Sequence, residues 1–201
     1  EFVMILLIVP AITAGSISGE RERQTLNLLL TTRMTPMDIV VGKLMTGLST
    51  MILLIISSFP ILALVFIYGG VTIKDIVLLL MSFISAAVLS GSIGICCSSM
   101  FRKSTIATVV SYCVMAALVL GTAAAVRFGG SSGFSFLVWL LLLNPGVPFG
   151  AAMGEQLGNV RRISVLQTWT GSSLQRLTAG DWLWLGIIMQ LLLAGACLWA
   201  A

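Results

Sequence analysis

Four consecutive charged residues, Glu20, Arg21, Glu22 and Arg23, stand out in a chain of which only 9% is charged. Side chains of opposite sign at this spacing can pair across a helical turn or with charges on a partner protein. The two acidic residues match the two basic ones in number, and acidic side chains weaken binding to an anionic leaflet. The stretch therefore favours contact with a protein, and a helix that anchors the chain at the lipid interface is the alternative.

Residues that could support catalysis are scarce. The chain has no histidine, and between Leu44 and Ser99 its charged residues are Lys74 and Asp75. The run from Gly91 to Gly94 contains a serine, but a serine nucleophile needs a base to activate it. No GxxxxGK[ST] sequence for nucleotide binding is present, and ion-coupled transporters usually carry intramembrane acids or bases. We expect no catalytic residue, no cofactor and no metal site.

Composition indicates an integral membrane protein. Of the 201 residues, 58% are hydrophobic, compared with ~45–50% in soluble domains, and the mean hydropathy is +1.10. The net charge of +4 is small and scattered, so nucleic acid is not an expected partner. The cysteines lie in apolar runs without CxxC spacing, which is typical of small hydrophobic residues rather than of a disulfide or metal framework: they are Cys96, Cys97, Cys113 and Cys197.

Five apolar runs predict membrane-spanning helices, which need roughly 20 residues each. They cover residues 1–15, 40–68, 76–100, 105–126 and 182–201. A threonine three residues before an aspartate marks a helix start, and this signature begins at Thr35, Thr72 and Thr178. The first and last runs look truncated, so we expect a fragment of a longer protein. The predicted fold is all-α, with residues 1–201 forming one multi-span helical bundle.

Lysine and arginine in the short connections predict the orientation of these spans. The connections after the first and third spans, with the start of the second span, carry Arg21, Arg23, Arg33, Lys43, Arg102 and Lys103. The connection after the second span carries Lys74. Because basic short loops remain in the cytoplasm, we expect those two connections there and the long segment 127–181 outside. The expected location is the plasma membrane, as a bacterial inner-membrane protein.

The long external segment contains a short apolar run. Residues 134–143 would form a helix of about 15 Å, which is too short to cross a bilayer. Asn144-Pro145-Gly146 then interrupts the run, and glycines recur every four residues from Gly146 to Gly158 along one face of a second short helix. We interpret the segment as an external re-entrant helical hairpin. An amphipathic surface helix followed by a flexible loop is the alternative.

Small residues recur every four positions in the third span. They allow two helix backbones to approach closely in lipid, and they are Ser82, Ala86, Ser90, Gly94 and Ser98. We favour packing within the chain over a seam between two chains.

Residues 18–34 predict a helix at the cytoplasmic surface. Ser18 is the expected N-cap, and the helix should end before Pro36, because a residue that precedes proline avoids helical geometry. An apolar stripe lies opposite a polar face. The stripe consists of Leu26, Leu29, Leu30 and Met34.

The stretch from Pro10 to Leu44 resembles the membrane subunit of ABC-2 type transporters. The positions that match the family pattern are Pro10, Ile17, Glu20, Arg21, Glu22, Thr25, Leu28, Leu29, Thr32, Ile39, Gly42 and Lys43. This motif covers about 35 residues, and beyond it the layout of the spans carries the resemblance. The resemblance implies a six-span export permease that here lacks its first span. It also implies a cytoplasmic coupling helix on a separate ABC ATPase subunit, and a second permease chain that completes the path.

The resemblance also implies which residues couple the permease to the ATPase. The implied coupling residues are Glu20, Arg21, Glu22, Arg23, Thr25, Leu28, Leu29, Gly42 and Lys43. The second hypothesis is a non-transporting scaffold or immunity-type subunit that uses the same helix only for assembly. Beyond these proteins the expected partner is membrane lipid. The substrate stays open, because the spans offer only Ser, Thr, Met and aromatic surface to lipids, peptides, antibiotics or ions.

Overall fold

The computed structural model describes residues 1–22, 24, 36–68, 72–122, 124, 142–156 and 179–201. Every regular element within these ranges is helical, which confirms the predicted all-α fold. The helices are α1 (Phe2–Glu22), α2 (Pro36–Tyr68), α3 (Ile73–Met100), α4 (Ser104–Ala116), α5 (Gly146–Gln156) and α6 (Ala179–Ala200). A π-helical turn, Ala117–Gly121, continues α4.

Five of these segments are long and apolar enough to cross a membrane. They are Phe2–Glu22, Asp38–Ser57, Ile73–Met100, Ser104–Gly121 and Asp181–Ala200. Large apolar side chains are widely exposed on them, with Leu53 at 65% and Trp199 at 86%. Such surfaces suit lipid rather than water, so the chain is a multi-span helical membrane protein.

The start of α3 has the predicted threonine–aspartate cap. The Thr72 backbone N–H donates to Asp75 Oδ2 at 3.0 Å, and the Asp75 N–H donates to Thr72 Oγ1 at 3.4 Å. Two backbone donors that lack helical partners are thereby satisfied. The equivalent signatures at Thr35 and Thr178 lie outside the described residues.

The end of α1 differs from the sequence prediction. Ser18 is not an N-cap, because α1 continues without interruption from Phe2 to Glu22. The Ser18 hydroxyl donates back to the Ala14 carbonyl at 2.9 Å, so the serine is satisfied within the helix rather than at its start. Gln24 follows with φ of 58°, a left-handed conformation common just beyond a helix end. The helix predicted over 18–34 therefore does not run through Gln24.

The described chain divides into two compact units. Unit 1 comprises Glu1–Phe59, Ala86–Met115 and Leu192–Ala201. Its core joins α1, α2 and α3 through Ile17, Val40, Leu44 and Ile95, and Leu48 of α2 and Leu198 of α6 pack against them. The core lies near the C-terminal end of α1, where the charged residues follow.

Unit 2 comprises Pro60–Ser85 and Ala116–Leu191. In it, α5 packs through Ala151 and Ala152 against Leu183 and Ile187 of α6, with Leu78 at the edge. The packed face of α5 is therefore formed by alanines.

The glycine face predicted for this second short helix is at least partly exposed. Gly150 is exposed, and a Cβ added there would meet nothing within 4 Å. In contrast, a Cβ added at Gly186 of α6 would lie 2.7 Å from Pro148 Cγ. The close approach of α5 and α6 thus depends on a glycine in α6. Residues 134–141 of the predicted hairpin lie outside the described part of the chain.

Candidate functional site

The charged residues singled out by the sequence lie at the C-terminal end of α1, in unit 1. Glu20, Arg21 and Glu22 form the last turn of this helix, and Gly42 and Lys43 lie in the second turn of α2. The remaining predicted coupling residues lie outside the described ranges: Arg23, Thr25, Leu28 and Leu29.

Glu20 and Lys43 form an ion pair between α1 and α2. Their side chains are 23% and 29% exposed, respectively. Charges that are partly withdrawn from water interact more strongly than fully exposed ones. The pair holds together the two helices that flank the connection 23–35.

Arg21 contacts the C-terminal end of α3. Its Nη1 donates to the carbonyl oxygen of Ser99 at 3.2 Å. Ser99 is the penultimate residue of α3. Carbonyl groups in the last turn of a helix receive no hydrogen bond from an N–H of the same helix, and they carry the negative end of the helix dipole. A guanidinium at this position is therefore favourable in both hydrogen bonding and charge.

Glu22 contacts the N-terminal end of α4. Its Oε2 accepts a hydrogen bond from Ser104 Oγ at 2.7 Å and a longer one from the Ser104 N–H at 3.4 Å. Ser104 is the first residue of α4, and a carboxylate at a helix N-terminus is stabilised by the positive end of the dipole. Three consecutive residues of α1 thus contact three different helices.

Ser98 adds a fourth attachment of α1, the second one to α3. Its Oγ accepts hydrogen bonds from the backbone N–H groups of Ile17 at 3.1 Å and Ser18 at 2.9 Å, and donates to the Ser18 hydroxyl at 3.3 Å. The sequence identified Ser98 only as a small residue. Its bonding role was missed, as were those of Ser99 and Ser104, because their partners lie about 80 residues away in the sequence.

The small-residue stripe of α3 is buried inside the chain. Ser82 belongs to unit 2, and the other four members belong to unit 1. A Cβ added at Gly94 would lie 3.1 Å from Thr13 Cβ and 3.2 Å from the Ala14 backbone nitrogen. At Gly94 and Ser98 the stripe therefore contacts α1 of the same chain. Ala86 and Ser90 are both fully buried.

Unit 2 contains a separate polar cluster centred on Asn144. The Asn144 Nδ2 donates to the Val119 carbonyl at 3.0 Å and to Thr122 Oγ1 at 2.8 Å, and its Oδ1 accepts from the Gly146 N–H at 2.8 Å. Gln190 Nε2 donates to the Asn144 carbonyl at 3.3 Å. The cluster ties the start of α5 to the π-helical turn and to α6.

Metal chemistry has no support in the described part of the chain. There, no group of three or more His, Cys, Asp or Glu side chains is placed to hold a metal ion. The cysteines described are free thiols, and Cys97 is buried.

Comparison with protein families identifies the chain. The profile of the ABC-2 family transporter protein matches residues 2–201. Comparisons with curated proteins and with solved structures found no match. The matched range includes all the helices and both polar clusters described above. The chain therefore belongs to the ABC-2 transporter family, as a membrane permease subunit of an ABC transporter whose partner is an ABC ATPase subunit.

Proposed function

We propose that this permease works as an exporter, forming the substrate path and taking its energy from ATP hydrolysis by the partner subunit. The single observation that carries the coupling part of this proposal is the last turn of α1, where Glu20, Arg21 and Glu22 contact α2, α3 and α4 in turn. A force applied next to this turn would act on four helices at once. A helix that only anchors the chain at the lipid interface would not need these contacts with three other helices.

The proposed docking region is the connection between α1 and α2, residues 23–35. Thr25, Leu28 and Leu29 belong to this connection, and Gly42 and Lys43 follow it. The ion pair between Glu20 and Lys43 joins the helices on either side of the connection. Fixing both ends of a connecting segment lowers the conformational entropy that it loses when a partner binds.

The proposed orientation places this end of the chain in the cytoplasm. Arg102 and Lys103 are exposed in the short connection directly before Ser104, which contacts Glu22. The C-terminal end of α1 thus lies beside the connection between α3 and α4, which supports the same side of the membrane for the two basic connections. The long segment 127–181 is then external, and the membrane is a bacterial inner membrane.

The proposed assembly has two permease chains in contact with lipid. Both α2 and α4 expose large apolar side chains, among them Leu53 at 65% and Val109 at 57%. Surfaces of this kind are stable against acyl chains or against another helix, and poorly stable in water. The second chain is either another copy or a related permease.

The second candidate function is a scaffold or immunity-type subunit that binds the ATPase without transporting. The same attachments at the end of α1 would serve assembly alone. ATP turnover by the purified permease–ATPase complex separates the two candidates. An exporter predicts that turnover rises when a substrate is added from a panel of lipids, peptides and antibiotics. A scaffold predicts turnover that no member of the panel changes.

A further inference from the structure

We propose that Glu20, Arg21 and Glu22 act within the permease itself, as positioning residues that clamp α1 to α2, α3 and α4, rather than as direct contacts to the ATPase. We call this group, with Lys43, Ser99 and Ser104, the helix-end clamp. The inference rests on the proposed ATP-driven function and states how the coupling end is held. It assigns a structural reason to each charge.

The order of the signs matches what each residue faces. Glu20 faces the ammonium group of Lys43, Arg21 faces the last carbonyls of α3, and Glu22 faces the first N–H group of α4. The C-terminal end of a helix carries a partial negative charge and the N-terminal end a partial positive charge. In the contacts described, each side chain therefore meets the opposite sign.

Glu20 and Arg21 are partly withdrawn from solvent, whereas Glu22 is exposed and is bonded to Ser104. The side chain of Glu20 is 23% exposed and that of Lys43 is 29% exposed, and both point at each other. Arg21 is half-buried and bonded to a main-chain carbonyl. Residues committed to internal bonds would have to break them before they could bind an ATPase.

Ser98 adds a further contact between α1 and α3 beside the clamp. The Ser98 hydroxyl accepts hydrogen bonds from the N–H groups of Ile17 and Ser18, one turn before the clamp. These bonds fix the direction in which the last turn of α1 leaves α3. The clamp then sets where the connection 23–35 starts. A displacement of that connection reaches α2, α3 and α4 through separate bonds.

A charge swap tests the clamp. The variants are Glu20→Lys, Lys43→Glu and the double swap, with Lys103→Gln as a control, because Lys103 is exposed and lies outside the clamp. The permease is purified alone and in complex with its ATPase. The measurements are the unfolding temperature, recovery of the complex and ATP turnover.

The clamp predicts that each single variant lowers the unfolding temperature of the permease alone by a few degrees and lowers complex recovery. The double swap should recover most of both losses, because the pair is restored with the signs exchanged. Lys103→Gln should leave both values unchanged. If Glu20 instead bound the ATPase directly, the double swap would be as defective as Glu20→Lys, and the permease alone would unfold at the wild-type temperature.

A second experiment tests the contact between Glu22 and Ser104 at the N-terminal end of α4. Glu22→Gln keeps a hydrogen-bond acceptor and removes the charge, and Ser104→Ala removes the hydroxyl. The double variant completes a double-mutant cycle. Non-additive losses in unfolding temperature support the contact, and fully additive losses overturn it. Both experiments measure the unfolding temperature of the permease alone, so they test the clamp even if the wild-type complex transports nothing. A complex that transports nothing would overturn the proposed function and leave the clamp intact.

Discussion

Asn144 uses every hydrogen-bonding group of its side chain inside unit 2. The amide nitrogen donates to the carbonyl of Val119 in the π-helical turn and to the hydroxyl of Thr122, while the amide oxygen accepts from the first N–H of α5. Asn144 is only 6% exposed. Buried polar groups that lose their partners cost ~1–3 kcal/mol each, and measured values for side chains in membranes average lower.

Replacing Asn144 should therefore destabilise the protein. We expect Asn144→Leu to lower the free energy of unfolding by about 1–3 kcal/mol, because three hydrogen bonds of a buried side chain are lost. Gln190→Met is the matched control, since Gln190 Oε1 is buried without a partner among the described atoms. Its removal breaks the 3.3 Å hydrogen bond from Gln190 Nε2 to the Asn144 carbonyl but also removes the unpartnered oxygen, so the loss should be smaller than for Asn144→Leu. Unfolding in detergent measures both, and a Gln190→Met variant that loses as much as Asn144→Leu would contradict this account of the cluster.

Gly94 tests the close approach of α1 and α3 in the same way. A Cβ at Gly94 would meet the backbone of α1, so Gly94→Ala should destabilise by roughly 1–3 kcal/mol through overpacking. At Gly15, a Cβ would meet nothing within 4 Å, and Gly15→Ala should be neutral or slightly stabilising because alanine favours a helix. Thermal unfolding compares the two alanine variants. Equal stability of both would show that α1 does not lie against Gly94.

At the scale of elements, the apolar runs predicted a multi-span all-α membrane protein, and five described helical segments are long and apolar enough to cross a membrane. Lipid leaves an apolar run of this length few structures other than a helix. The end of α1 was predicted wrongly, because serine and glycine at 15–19 are typical of a helix boundary in isolation. Ser98 satisfies two N–H groups there from 80 residues away. No local pattern contains that information.

The orientation of the helices gives a prediction at the same scale. In a cysteine-free background, Arg102→Cys should be shielded from an impermeant thiol reagent in intact cells and become reactive after permeabilisation. Gly158→Cys should react in intact cells. Both follow from the distribution of lysine and arginine among the short loops. Reaction of both cysteines from the same side would contradict the number of spans between them.

At the scale of the whole molecule, the family could be predicted from about 35 residues, because the charged motif and the following Gly-Lys occur together. The contacts of that motif could not be predicted. The same four charges are compatible with an external partner, with lipid or with the ends of neighbouring helices. Only the packing of α1 against three helices distinguishes the roles of Glu20, Arg21 and Glu22.

The isolated permease should hydrolyse no ATP, because its sequence contains no P-loop. Phosphate release from the purified chain, with and without its ATPase, checks this expectation. Turnover should require the ATPase in every case. Activity of the permease alone, retained after a second purification in a different detergent, would contradict the division of labour between the subunits.

The measurement that tests the central claim most directly compares ATPase recovery and ATP turnover for complexes carrying wild-type permease, Glu22→Ala or Glu22→Arg. The account predicts that alanine is defective and arginine is worse, because a positive charge then faces the positive end of α4. Expression and membrane insertion should remain near normal. A lipid anchor predicts the reverse order, since an added arginine would strengthen contact with an anionic leaflet. A Glu22→Arg permease that binds the ATPase and supports wild-type turnover would contradict the assignment of this end of α1 to coupling.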